Sequence, residues 1–393
     1  MEDIKNKKTG SFIGFVTTLV IAFLLYFIMK SAGSVNDILN YNNIISGMGS
    51  NIKSEIYWFL MNFTEAQFYA GVFASSGLII GGFLAWRLDE SKSKFAGFRI
   101  SYGSRLWPWV ISSQILSLFI GNILLNYTGL FLNSEYNWLP TFITVVSVAP
   151  SLMLLYGPGL KNLITASIIG GTICFPVGLW FMVNIVPIFD VHGVTGNVFT
   201  MALTGIIAMS IARVIPWVDK RSMPDFENDQ RESLSEKGNA IWFIRRVFAD
   251  FTEAQFYGNE LAGVFMITAL IMGWFINTAH SGYGSGVVPA ILLSQFIASS
   301  VGIYFYYHKY RDEGFYSTFV PVVSVGPACV LTFGGTIPVA IAAGIMGGLI
   351  GAPMAEFIIK KLPEDFHPFI GNVSSMGIST IVVTVIMQAM PWF

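Results

Sequence analysis

The sequence predicts an all-α polytopic membrane protein of about eleven transmembrane helices, built as one extra helix and two five-helix copies of opposite orientation. Three observations carry that prediction. The 393-residue chain is 54% hydrophobic and only 11% charged, less than half the roughly 25% of a soluble domain. Its charges are bunched, and the apolar runs between them are roughly 18–25 residues long, enough to cross a bilayer as helices. The stretch FTEAQFY stands at Phe63–Tyr69 and again at Phe251–Tyr257.

The elements follow in order. Phe12–Met29 comes after the basic KNKK, is long, and lacks a small-residue cleavage site, so it reads as a retained helix and not a signal peptide. Further spans are expected near Ala66–Trp86, Trp107–Leu125, Leu139–Tyr156, Leu163–Val186 and Val198–Ile215. Val218–Lys237 is rich in charge and helix breakers and reads as a linker. The later spans are expected near Glu260–Thr278, Val287–Tyr307, Thr318–Phe333, Ile337–Ile358 and Val373–Ala389. The expected units are therefore residues 1–35, the extra helix; 52–217, the first copy; 218–238, the linker; and 239–393, the second copy.

Lysine and arginine set the orientation, because they are held on the cytoplasmic side. They cluster at Lys5, Lys7 and Lys8, in the loop carrying Arg87, Lys92, Lys94, Arg99 and Arg105, in the linker, and at Lys309, Arg311, Lys360 and Lys361. The intervening loops 126–138, 187–195 and 280–286 contain neither residue. The expected placement is the cytoplasmic membrane, with the N-terminus cytoplasmic and the C-terminus external.

The repeat extends well beyond FTEAQFY. YGSRLWPWVISSQ (Tyr102–Gln114) returns as YGSGVVPAILLSQ (Tyr283–Gln295), and TFITVVSVAP (Thr141–Pro150) as TFVPVVSVGP (Thr318–Pro327). GGTICFP (Gly170–Pro176) returns as GGLIGAP (Gly347–Pro353), and DVHGVTGNV (Asp190–Val198) as DFHPFIGNV (Asp365–Val373). An odd number of spans per copy makes the second enter from the opposite side. The charges change accordingly: Arg105 becomes Gly286, while Arg245 and Arg246 precede only the second FTEAQFY.

Each motif admits a structural and a functional reading. In FTEAQFY, Thr64 and Gln67 fit a capping box, Phe63 and Phe68 a hydrophobic staple, and Glu65 suits the first helical turn. Thr252, Gln255, Phe251, Phe256 and Glu253 repeat these roles. This helix-start reading leads; the alternative makes Glu65 and Glu253 coupling residues for a cation or proton. TFxxVVSVxP is the stronger site candidate. Its β-branched residues and the prolines Pro150 and Pro327 weaken a helix inside an apolar span, and matched broken helices point to a transporter's binding site. Thr141, Ser147, Thr318 and Ser324 would supply hydroxyls there, against the alternative of a kinked helix with serine bonded to its own turn. Asp190 with His192, and Asp365 with His367, form titratable pairs suited to gating or to bracing a loop. Asn197 and Asn372 lie deeper as solute contacts, and Gln114 and Gln295 are polar residues placed to face a cavity. The glycines Gly170, Gly171, Gly344, Gly347, Gly348 and Gly351 read as helix-packing positions.

Cys174 and Cys329 read as small buried hydrophobes. No nucleotide, zinc or redox motif is present, so neither cofactor nor metal is expected, and a net charge of −1 speaks against nucleic acid. The leading expectation is a permease, not an enzyme, moving a small neutral or zwitterionic solute by secondary-active alternating access. The alternatives are a passive channel on the same scaffold and the membrane subunit of a larger transporter or redox complex. Expected partners are the solute, the bilayer and a coupling ion, H+ or Na+; assembly as a homo-oligomer stays open.

Overall fold

The computed structural model describes residues 9–131, 140–189, 192–218 and 238–393. Most of the linker and Asp190 lie outside the described residues, as do Lys5, Lys7 and Lys8. The regular elements of the described residues are all helical, without strands.

Helix α1 (Phe12–Ser31) begins at Ser11, whose hydroxyl accepts the Gly14 amide at 3.1 Å. Much of its surface, including Val20, Leu24 and Phe27, is exposed and apolar, which suits lipid and not water. The first repeat copy then supplies α2 (Ile52–Met61), α3 (Val72–Glu90), α4 (Trp107–Phe119, continuing through a π turn to Leu124), α5 (Val148–Tyr156), α6 (Leu160–Asn184) and α7 (Gly193–Ala212). The second supplies the counterparts α8 (Ala240–Asp250), α9 (Glu260–Ile276), α10 (Val288–Phe305), α11 (Val325–Phe333), α12 (Ile337–Ile359) and α13 (Phe369–Gln388). Among the described residues eight helices are long and apolar enough to cross a bilayer. Where spans are expected near Leu139–Tyr156, Glu260–Thr278 and Thr318–Phe333, the apolar helical segments Thr141–Tyr156, Glu260–Ile276 and Val320–Phe333 are shorter.

Two of these short segments are broken as their composition predicts. A 3-10 turn at Thr141–Thr144 precedes α5, and another at Val320–Val323 precedes α11. The breaks fall at Ser147 (φ −134°, ψ −101°) and Ser324 (φ −148°, ψ −87°). Each serine hydroxyl bonds back to the carbonyl four residues earlier, Ile143 and Val320, which satisfies one of the acceptors that a broken helix frees.

The copies pack against one another through matched pairs. α3 crosses α9 where Gly81 leaves room for the Ala262 Cα, 2.8 Å from a hypothetical Cβ, and Gly77 for Ala269. Rising numbers in α3 meet falling numbers in α9, so the helices are antiparallel. α7 and α13 are antiparallel too, with Gly205 against Ile370 and Gly377 against Phe199. Small residues also close the packing within each copy. A Cβ on Gly171 would lie 2.6 Å from the Ser117 carbonyl, and one on Gly348 2.7 Å from that of Ala298.

FTEAQFY is not the helix start its sequence suggests. Residues Glu65–Gln67 and Glu253–Gln255 are single 3-10 turns, and α3 and α9 begin only at Val72 and Glu260. Neither threonine caps the turn that follows it. Thr64 instead meets the Ser75 hydroxyl at 2.8 Å, and Thr252 accepts the Asn259 amide at 3.0 Å. The capping of α9 falls to Asn259, whose carboxamide accepts from Leu261 and Ala262. The glutamines leave their own turn because each has a better partner in the other copy. Gln67 Nε2 donates to the Phe251 carbonyl and to Gln255 Oε1, while Gln255 Nε2 donates to the Phe63 carbonyl and to Gln67 Oε1. This closed pair of carboxamides has the reciprocity of an isologous contact.

Candidate functional site

Between the glutamine pair and the α7–α13 crossing lies a cavity of about 1440 Å³. Much of its wall is built from matching positions of both copies, beside the unmatched charged residues Arg99, Glu313, Glu356 and Lys360. Glu65 and Glu253, Phe68 and Phe256, Tyr102 and Tyr283, His192 and His367, and Asn197 and Asn372 all line it. Phe142 with Phe319, Val146 with Val323 and Met201 with Met376 complete the apolar part. Each FTEAQFY turn thus sends its glutamine into the interface and its glutamate and second phenylalanine to the cavity.

The backbone is strained at these aromatic positions. Phe68 and Phe256 both have φ +64°, and Tyr102 and Tyr283 have φ +57° and +60°. A left-handed conformation costs a residue with a Cβ roughly 1–2 kcal/mol, and such strain gathers at functional sites. It turns the phenylalanine rings onto the histidines, with centroids 6.2 Å apart for Phe68–His192 and 5.7 Å for Phe256–His367. Arg105 and Gly286 also share this backbone region, at φ +57° and +70°. The exchange of charge at that position thus accompanies a backbone that glycine favours, and Arg105 is held by an ion pair with buried Asp89 at 3.2 Å.

His192 and His367 close the first turns of α7 and α13. Their Nδ1 atoms accept the amides of Val194 and Phe369 at 3.2 and 3.1 Å. An accepting Nδ1 is the neutral tautomer with its proton on Nε2. Burial acts in the same direction, lowering both imidazoles to about 4, so both are neutral at pH 7. The expected Asp–His pair is not formed at Asp365, because that carboxylate reaches Arg213 at 3.2 Å. The helices begin at Gly193 and Phe369, earlier than expected, so Asn197 and Asn372 stand one turn inside them. Both side chains are buried, and neither Oδ1 has a hydrogen-bond partner.

The other predicted solute contacts stand behind the wall. Thr141 donates to Asn62 Oδ1 at 2.6 Å and Thr318 to Asp250 Oδ2 at 2.7 Å. Ser147, Ser324, Pro150 and Pro327 are buried in the broken segments. Gln114 accepts from the Tyr257 hydroxyl and donates to the Gln255 carbonyl. Gln295 accepts from Tyr69 and donates to the Gln67 carbonyl. Both glutamines therefore tie the copies together and do not face open space.

One constellation escaped the sequence reading. Arg246 on α8 forms ion pairs with Asp250 and Glu253, and all three are buried. Asp250 also accepts from Ser299 on α10 and from Thr318, just ahead of the second broken segment. Glu253 Oε2 has no hydrogen-bond partner. The first copy has Trp58 and Asn62 at the positions of Arg246 and Asp250, so the charge behind the matched lining positions is asymmetric. The four-residue spacing of Arg246 and Asp250 on one helix face was the available signal. Comparison of the chain with protein-family models, with curated proteins and with solved structures finds no match.

Proposed function

We propose that the chain is an inverted five-plus-five permease that moves a small polar, neutral or zwitterionic solute by alternating access. The supporting observation is the pairing of the cavity wall, in which equivalent residues of both copies face one space. A binding site at a repeat interface is the recurring design of secondary transporters. The eight long apolar helices make up most of the eleven crossings this reading needs, and the three shorter segments supply the rest. The lining supports this solute class. Two unpartnered asparagine oxygens ask for donors, and aromatic rings supply flat apolar contact. The domain division at 52–217 and 239–393 belongs to the same reading.

A passive facilitator is the second reading, since a wall with like chemistry toward both ends needs no coupling ion. The asymmetric charge of the second copy favours the first. Flux into proteoliposomes separates them: accumulation against a gradient excludes the facilitator, and flux indifferent to proton and sodium gradients excludes coupled transport. The reading itself is tested by a thermal-stabilisation screen of purified protein with small metabolites. A ligand should raise the melting temperature of the parent and raise it less for Asn197→Ala and Asn372→Ala. A ligand that stabilises both variants as strongly as the parent removes these residues from the site.

A further inference from the structure

The buried charges of the second copy do not balance. Arg246 contributes one positive charge against the two carboxylates of Asp250 and Glu253, so the ionised trio carries a net negative charge. An uncompensated charge away from water is costly, and one added proton removes it. The two carboxylates are not equivalent receivers. Asp250 has both oxygens engaged, Oδ1 by Arg246 and Oδ2 by Ser299 and Thr318. Glu253 gives Oε1 to Arg246 and keeps Oε2 buried and unpartnered in a residue that lines the cavity. The nearby Tyr102 hydroxyl donates to the Glu253 backbone carbonyl at 3.1 Å.

We propose that Glu253 is the coupling site of this permease and takes one proton from the cavity on Oε2 in each transport cycle. The inference rests on the permease reading given above. The step forms one O–H bond, discharges the carboxylate and transfers no electrons. Arg246 keeps Asp250 as its counter-ion, so the trio becomes neutral. Release of the proton to the other side restores it. A metal cation fits less well, since hard cations gather about six or more oxygens, and no group of three or more acidic, histidine or cysteine side chains placed to hold one occurs among the described residues. The groups facing the site are Arg246 and Asp250 from α8, Tyr102 from the loop before α4, and Tyr310 from the short helix 307–313, whose ring lies 5.7 Å from the Arg246 guanidinium; Arg99 lines the same cavity. The state of Glu253 reaches the broken segment through Arg246, Asp250 and Thr318.

Infrared difference spectroscopy of the purified protein, stepped down in pH from neutral, reads the proton directly. A carboxylic-acid carbonyl band should grow in before the exposed carboxylates protonate, shift on incorporation of carboxyl-13C glutamate, and vanish in Glu253→Gln. It should survive in Glu65→Gln and be unchanged when sodium chloride replaces choline chloride. A band that persists in Glu253→Gln, that ignores the glutamate label, or that sodium abolishes overturns the proposal, as does its absence from the parent. The label needs no variant and still excludes Asp250 if Glu253→Gln fails to fold, while survival of the band in Glu65→Gln excludes the other cavity glutamate of the FTEAQFY turns. Because no solute is present, a normal band beside absent flux counts against the permease reading alone.

Discussion

Asn197 and Asn372 carry unspent hydrogen-bonding capacity in the cavity wall, because a buried carboxamide oxygen with no partner has solute or water as its remaining options. Replacing either by alanine removes one hydrogen bond worth about 0.5–1.5 kcal/mol. Solute affinity should therefore fall by roughly 2- to 10-fold per site, read by calorimetric titration with any ligand the screen returns. His192 and His367 make the pH prediction. Their folded values near 4 lie below the usual 6.5, so the unfolded chain binds more protons between those values. The stability they contribute is whole above about 6.5 and falls as pH drops toward 4. The melting temperature should decline over that window, and His192→Gln with His367→Gln should flatten the decline. An identical decline in the double variant would assign it to other groups.

At the scale of elements, the glutamine pair and the glycine contacts hold the copies together. Gln67→Ala and Gln255→Ala each leave the partner carboxamide buried and half-satisfied, so a double-mutant cycle should show a coupling of about 0.5–3 kcal/mol. Additive losses would mean that the reciprocal bonds carry no joint energy. Gly171→Leu and Gly348→Leu place a side chain where the Ser117 and Ala298 carbonyls already stand. Each should cost about 1–3 kcal/mol or more, seen as a lower melting temperature in detergent. The glycines were legible in the sequence because GG recurs at matching places in both copies. The role of FTEAQFY was not. Every residue in it has a plausible job in a helix cap, and nothing local tells a glutamine that its amide partner lies in the other copy.

For the whole molecule, the inverted arrangement proposed above predicts that equivalent loops face opposite compartments. Ser91→Cys and Ser285→Cys sit in exposed loops, while the native Cys174 and Cys329 are buried. A membrane-impermeant maleimide applied to intact cells should label Ser285→Cys and spare Ser91→Cys until the membrane is opened. Labelling of both from one side would refute the opposed orientation.

Composition and run length determined that this is a many-helix membrane chain, because lipid leaves the backbone no alternative to internal hydrogen bonding. The same evidence located the two broken segments, since proline and β-branched residues act within a single turn. Tertiary structure alone decided which polar residues meet. It placed the threonines and serines of the broken segments behind the wall and put Asn197, Asn372 and the FTEAQFY glutamates on the cavity. It also brought Arg246, Asp250 and Glu253 together out of water. Those outcomes depend on contacts between residues far apart in the chain, and a hydrogen bond has no preference for neighbours in sequence.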